Sequence, residues 1–575
     1  MKRIVFVILT LAFGLAILAV IFYIGDYATE TRMKNRKALE AARQGNFDFR
    51  SIIGSAELEK IQRQFNVFKK EFEKFLILLP LIRKDVELKN NLLAAEEDWK
   101  MIKGGYLFKA MLQGGDQPLF YLKDLYNRLA VFEKDKEKYH LDFITEFKEK
   151  TEKWLLFFGE KEPRRYLILF QKPEIARPTG GFLGTYAVLT FEKGEINLKG
   201  GSIYDFDDLL TEKIIPPAPL KHIANKWFFH DANWFFDFSL SAKKIMEFYS
   251  STGLEPALDG VMAVNDDVIA NILKTIGQVE LKEHGLIIDY SNYNDFFFKQ
   301  IKEGAKAITQ NQSRKIFSVF LNEFYKKMKS SPSDKLSSVS TIFIESLAKK
   351  DIQIYSADED LEHYFDFLGW AGKISESPND YLAAVFNNLE EGFTEDNRQK
   401  IIKLESKISE NEIINTLFIS APFDGKDKNR ETYLKIYLPE KAIISEAKNG
   451  YLKKENNSWP YYKLGFKKDA LLAEIESTKT TDKEKGIEFW KEGSKTVIGT
   501  WTKLSFRPFE LVYKLPSPEI GDKWEIHIQK QSGQDCLFSY NLITEEKIKI
   551  KPTLFSFKKA IPLEKDLILN FQIER

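Results

Sequence analysis

The sequence predicts a multidomain α+β protein: an N-terminal transmembrane helix, an α-helical stalk or bundle, a central α/β layered domain and a C-terminal β-sandwich. Three observations carry that prediction. Residues Ile4 to Gly25 form an apolar run with no charged side chain. Helical periodicity then dominates as far as about residue 160. From Pro163 onward the pattern changes to short apolar runs of strand length, which alternate with helical patterns at first and with turns beyond about residue 400.

The length of 575 residues exceeds what one core organises, so two to four domains are expected. The expected division is 1–29 (anchor), 30–160 (helical stalk), 161–400 (α/β domain with a helical insertion) and 401–575 (sandwich). Charge is balanced at 85 basic and 84 acidic residues, so no net positive field draws the chain to phosphate backbones, and nucleic acid is not an expected partner. The single cysteine, Cys536, excludes an internal disulfide and a CxxC zinc site, and the six histidines are scattered.

The Ile4–Gly25 run has the ~20 residues a spanning helix needs and exceeds the 7–15 of a cleavable signal's apolar region. It therefore reads as a retained anchor. Lys2 and Arg3 precede it, while Arg32, Lys34, Arg36, Lys37 and Arg43 follow, and a local count of positive charge puts the following side inside. Large C-terminal domains translocate largely regardless of such charge, so this count does not fix the orientation.

Within the stalk, Leu58, Ile61, Phe65, Phe68, Phe72, Phe75 and Leu79 step by threes and fours, a heptad seam that suits an intramolecular bundle or a homodimer. A second helical pattern covers Val86 to Lys103. Leu119, Leu122, Leu125, Leu129 and Phe132 form one apolar face, and Leu141, Ile144, Phe147 and Trp154 another. Packing cores are the expected role of all these stripes.

Strands are expected at Arg165–Phe170, Thr185–Phe191, from Ile196, at Asp259–Val264 and at Gln278–Leu281. Helices are expected at Ser241–Ser251, at Asp266–Thr275 and through about 290–350. The sandwich strands are Thr432–Leu438, Thr496–Trp501, Phe509–Leu515 and Trp524–Lys530, with Pro439, Pro508, Pro516 and Pro518 at strand ends.

Between the first two strands stands ARPTGGFLGT, residues 176–185. Gly180, Gly181 and Gly184 allow close backbone approach, successive amides around Thr179 can form an anion nest, and Arg177 would add a planar charged fork. The alternative is a shaped connection with Arg177 paired to a carboxylate. Asp205 and Asp207, with Asp208, and Asp231, with Asn233 and Asp237, are oxygen ligands of the type that holds Mg²⁺ or Ca²⁺. The same residue types cap helices and close turns. Trp227, Phe228, Phe229, Trp234, Phe235 and Phe236 are either a sugar or lipid platform or a core. No Ser-His-Asp or G-x-S-x-G arrangement occurs.

The segments RRYLILFQ (164–171), RPTGGFLG (177–184), HDANWFFD (230–237), DGVMAVN (259–265) and TIGQV (275–279) resemble the bacterial family known as domain of unknown function 4012. Residues 369–372, 387–389 and 433–439 continue the likeness in the same order. The resemblance implies a membrane-anchored protein with its bulk outside the cytoplasm, and no assigned reaction. A weaker likeness links residues 241–280 to the LytR–CpsA–Psr enzymes, which transfer polymers from a polyprenyl-pyrophosphate carrier to the cell wall. It implies that Arg177 grips pyrophosphate and that an Asp of the 205–208 cluster holds Mg²⁺. The chain departs from that pattern at two places: the aspartate expected after Arg177 is absent, and Tyr204 stands where an arginine is expected. Two functions follow: a non-catalytic surface protein that binds envelope polymers or neighbours, and an envelope phosphotransferase.

Overall fold

The computed structural model describes Ala94, Asp98, residues 119–134 and residues 143–574 apart from 255, 307–311, 391–392, 423–429, 455–458, 518–522, 546–547 and 552–559. The Ile4–Gly25 run and the heptads of 58–79 lie outside these residues. Among the described residues no helix is long and apolar enough to cross a membrane. The architecture is mixed α+β with several sheets. The chain forms two units, each assembled from separated segments, so neither follows a linear division at residues 160 and 400.

The first unit combines the described residues through Phe170 with Gly184–Asp205 and Leu254–Ala371. Its helices Phe120–Lys134 and Phe143–Phe157 bury the apolar faces expected of them, including Leu122, Leu125, Leu129, Phe132, Ile144 and Phe147. The second helix continues directly into the sheet core. Phe157 packs on Tyr166 at 4.8 Å between ring centroids, and Trp154 packs against Tyr364, Phe365 and Trp370. The last part of the expected stalk is thus part of this unit's core.

The unit is built around strands β1 (Arg164–Lys172), β2 (Phe182–Glu192), β3 (Glu195–Ser202) and β4 (Gly260–Asn265), a small hairpin of β5 (Val279–Leu281) and β6 (Leu286–Ile288), and β7 (Ile352–Ser356). The main sheet has the order β3-β2-β1-β4-β7. Tyr166 to Phe170 on β1 are all buried, as a continuous apolar strand requires when both faces are covered. The sheet differs from the α/β expectation in pairing: β2–β3 and β4–β7 are antiparallel. The reason for the first is local. Lys193 and Gly194 both take positive φ, the two-residue turn whose twist matches that of flanking antiparallel strands. Helix Asp266–Ile276 matches the helix expected at Asp266–Thr275, and helices Tyr293–Lys306, Gln312–Lys329 and Ser333–Ala348 fill the helical stretch expected over 290–350.

The second unit comprises Gln171–Leu183, Phe206–Gly253 and Gly372 onward. It contains a six-stranded and a nine-stranded sheet. The larger sheet places β8 (Asp380–Asn387) beside strand Thr432–Pro439, antiparallel, and beside Lys523–Ile528, parallel. The smaller is built on Ile401–Ile408 paired antiparallel with Glu412–Ser420, which in turn pairs with Phe509–Pro516. The two sheets meet through a buried polar contact, in which Asn415 donates to Asp380 at 3.1 Å. Because β8 belongs to the larger sheet, the strands of this region start at Asp380 rather than after 401. Helix Phe238–Ser251 is capped by Asp237, which accepts from the Ser239 and Leu240 amides, so this acidic residue has a local structural role.

Candidate functional site

The glycine loop lies between β1 and β2, and each of its glycines meets a steric demand. Gly180 takes φ 141°. A Cβ on Gly181 would lie 2.2 Å from the Lys172 carbonyl carbon and oxygen, which no side chain tolerates. On β2, in the first unit, a Cβ on Gly184 would press on Ile301 at 2.7 Å. The loop also satisfies its own backbone: the Gly180 amide donates to Arg177 O at 3.0 Å and the Phe182 amide to Ile175 O at 2.9 Å. These two amides are used inside the loop.

Arg177 is buried in the second unit. Its Nε donates to Asp231 Oδ1 at 2.8 Å, and Nη1 donates to the carbonyls of Ala176 and Asn388. The guanidinium also lies over the Phe182 ring, 5.4 Å from its centroid. Two of its three nitrogens are therefore committed to partners within the protein. Thr179 is equally engaged: its hydroxyl donates to Gln171 Oε1 at 2.6 Å, and Gln171 Nε2 donates back to Thr179 O at 3.1 Å. Asn233 Nδ2 shares its two N–H groups among Gln171 Oε1, Thr179 Oγ1 and Gly181 O, all at 2.8 to 3.0 Å. Gln531 closes the far side by donating to Arg177 O at 2.9 Å and to Phe386 O at 3.0 Å.

Asp231 extends this network. Its second oxygen is 3.5 Å from His230 Nε2, and His230 Nδ1 is 2.5 Å from Asp207 Oδ2. Asp207 in turn accepts from the Phe229 amide at 2.7 Å. The result is a row of alternating charge, buried at Arg177 and Asp231 and half-buried at His230 and Asp207. Burial disfavours the imidazolium, but attraction to Asp207 and Asp231 outweighs it, so His230 holds its proton above the usual histidine range. Phe228 stacks on the imidazole at 5.2 Å.

Of the three aspartates read as metal ligands, Asp207 and Asp231 flank His230 in this row. Asp205 belongs to the other unit, where it accepts from the Ser202 amide at 3.2 Å. Among the described residues no three histidine, cysteine or acidic side chains converge as a metal set. The aromatic run is a core: Trp227, Phe229, Trp234, Phe235 and Phe236 are buried. The Trp227 indole donates to Asp231 O at 3.0 Å, which locks the backbone beneath the charge row.

A second buried charge cluster, absent from the sequence reading, lies in the same unit. Asp396 faces Arg398 at 2.7 Å, Arg430 at 3.3 Å and Lys400 at 3.6 Å. Although burial pushes its carboxyl up, the Arg398 hydrogen bonds and the Lys400 and Arg398 charges hold it far below the usual carboxylate range. The Asp396 amide donates to Glu174 O at 2.7 Å, and Lys172 bridges Glu174 and Glu395, so the glycine loop and the 388–396 segment are fastened together.

Residues 161–301 match one family model. Its description is Protein of unknown function (DUF4012). No curated protein matches the chain. The DUF4012 match contains β1 to β6, the glycine loop and all four members of the charge row. Asn388, Asp396 and Gln531, which hold the loop from outside, lie beyond it.

Proposed function

We propose that the chain is a single-pass membrane protein of the cell envelope, with its bulk outside the cytoplasm, that binds envelope polymers or surface partners without catalysing a reaction. The uninterrupted Ile4–Gly25 run supports the anchor. The DUF4012 resemblance supports the outward placement. One observation favours binding over phosphotransfer: Arg177, the group best suited to hold a pyrophosphate, is buried and neutralised by Asp231. A phosphate-gripping arginine needs its fork presented to the ligand.

Protease shaving tests the placement. Protease added to intact cells is expected to digest the large C-terminal part and spare a short membrane-embedded fragment. Survival of the full chain on intact cells, with digestion only after lysis, would contradict the reading.

A further inference from the structure

In the second unit, residues 459–468 read WPYYKLGFKK. This turn exposes three large apolar side chains: Trp459 at 41 %, Tyr462 at 67 % and Leu464 at 41 %. It is nonetheless firmly built. The Leu464 amide donates to Pro460 O at 3.1 Å, Gly465 to Tyr462 O at 3.1 Å and Phe466 to Tyr461 O at 3.0 Å. Tyr461 packs edge-on against Phe466 beneath it. The base is pinned to residues 213–215: the Lys467 amide donates to Lys213 O at 2.8 Å, and the Ile215 amide donates to Lys467 O at 2.9 Å. The exposed apolar groups are thus held in place and not merely frayed outward.

Charge surrounds them with one dominant sign. Lys463, Lys467 and Lys468 are exposed and make no ion pair among the described residues. Lys213 donates to Leu464 O at 3.2 Å, and Lys221 lies over the Tyr461 ring, which puts two more cations beside the tip. Glu212 is the exposed acid next to Lys213 in sequence. A Trp and a Tyr carry an apolar body with a polar edge, the combination enriched where a protein meets the water–lipid boundary. Lysines flanking such a tip are attracted to anionic headgroups. A sugar platform would use an aromatic face set into a groove, whereas these side chains stand on a turn and are solvated.

We infer that the Trp459–Lys468 turn docks on an anionic lipid surface, inserting Trp459, Tyr462 and Leu464 at headgroup depth with the lysines against the phosphates. Of the proposed function it needs only that a bilayer lies within reach of the chain.

The test uses the full chain carrying Tyr462→Cys labelled with an environment-sensitive fluorophore. Native Cys536 does not compete, because burial pushes its thiol up to about 12. Vesicles of phosphatidylcholine with phosphatidylglycerol should shift the emission to the blue, and phosphatidylcholine alone should not. Adding Lys463→Ala, Lys467→Ala and Lys468→Ala should weaken the response on the order of 100-fold. Trp459→Ser with Leu464→Ser should abolish it. A chain that floats with anionic vesicles while the fluorophore stays in water would overturn the inference and leave the anchor standing. Flotation that vanishes with the lysine substitutions would support the inference and sink the anchor. An equal response to soluble polyphosphate without lipid would overturn it in favour of a polyanion partner.

Discussion

Replacing Arg177 with methionine is expected to destabilise the second unit by about 3 kcal/mol, which places it among the most damaging single changes in the chain. The cost comes from what is left behind. Asp231 is 2 % exposed and would lose its nearest cation, with His230 at 3.5 Å as the remaining partner. The carbonyls of Ala176 and Asn388 would lose a charged donor as well. The double substitution Arg177→Met with Asp231→Leu should recover most of the loss, because removing both members of a buried pair costs far less than removing one. Urea unfolding of the full chain, with the four proteins of the cycle compared, checks this. Equal midpoints for wild type and Arg177→Met would mean that the pair contributes nothing.

The second large effect lies between the two sheets. Asp380 is fully buried and accepts from the Tyr381 amide at 2.7 Å and from Asn415 at 3.1 Å, with no cation beside it among the described residues. Burial lifts its carboxyl to about 7, against the opposing pull of those two donors. An unfolded chain releases this proton near ~4, so stability is full below that pH and falls as the pH rises through about 7. The raised value corresponds to at most ~4 kcal/mol lost above neutrality. Asp380→Asn carries no charge, and the Asn415 amide can reverse to serve it, because the Ser406 hydroxyl that donates to Asn415 at 2.5 Å can donate or accept. The variant should be about 2 kcal/mol more stable than wild type near pH 8 and equal to it near pH 4. Thermal unfolding across that range reads it, and a difference independent of pH would rule out Asp380 as the titrating group.

Much of the strand pattern was legible because it is local. The expected Thr432–Leu438 is observed as Thr432–Pro439, and Phe509–Leu515 as Phe509–Pro516. Proline ends both, since it donates no hydrogen bond to a neighbour. Helix Asp266–Ile276 was similarly visible from its apolar spacing. Strands Ile401–Ile408 and Asp380–Asn387 were not recognised. The first alternates Lys403, Glu405 and Lys407 with buried Ile402, Leu404 and Ile408 and resembles a charged surface stretch. The second, DYLAAVFN, is buried throughout and carries two alanines, so it shows no alternation.

The candidate site was legible as residues and not as contacts. The glycines and Arg177 stood out by composition, yet the partners that decide their role are distant. Asp231 is 54 positions from Arg177, and Asn388 is 211. Spacing along the chain carries no information about such pairs. His230 opens the HDANWFFD segment of the family resemblance, but its charged role gave no signal, because its protonation depends on two carboxylates brought to it by folding.

The central claim is that Arg177 serves the interior of the protein and not a ligand. Thermal unfolding of the full chain with and without a polyprenyl pyrophosphate and Mg²⁺ tests this most directly. The account predicts an unchanged midpoint. A ligand-dependent rise in wild type that disappears in Arg177→Lys would contradict it, and would assign the arginine to a phosphate site.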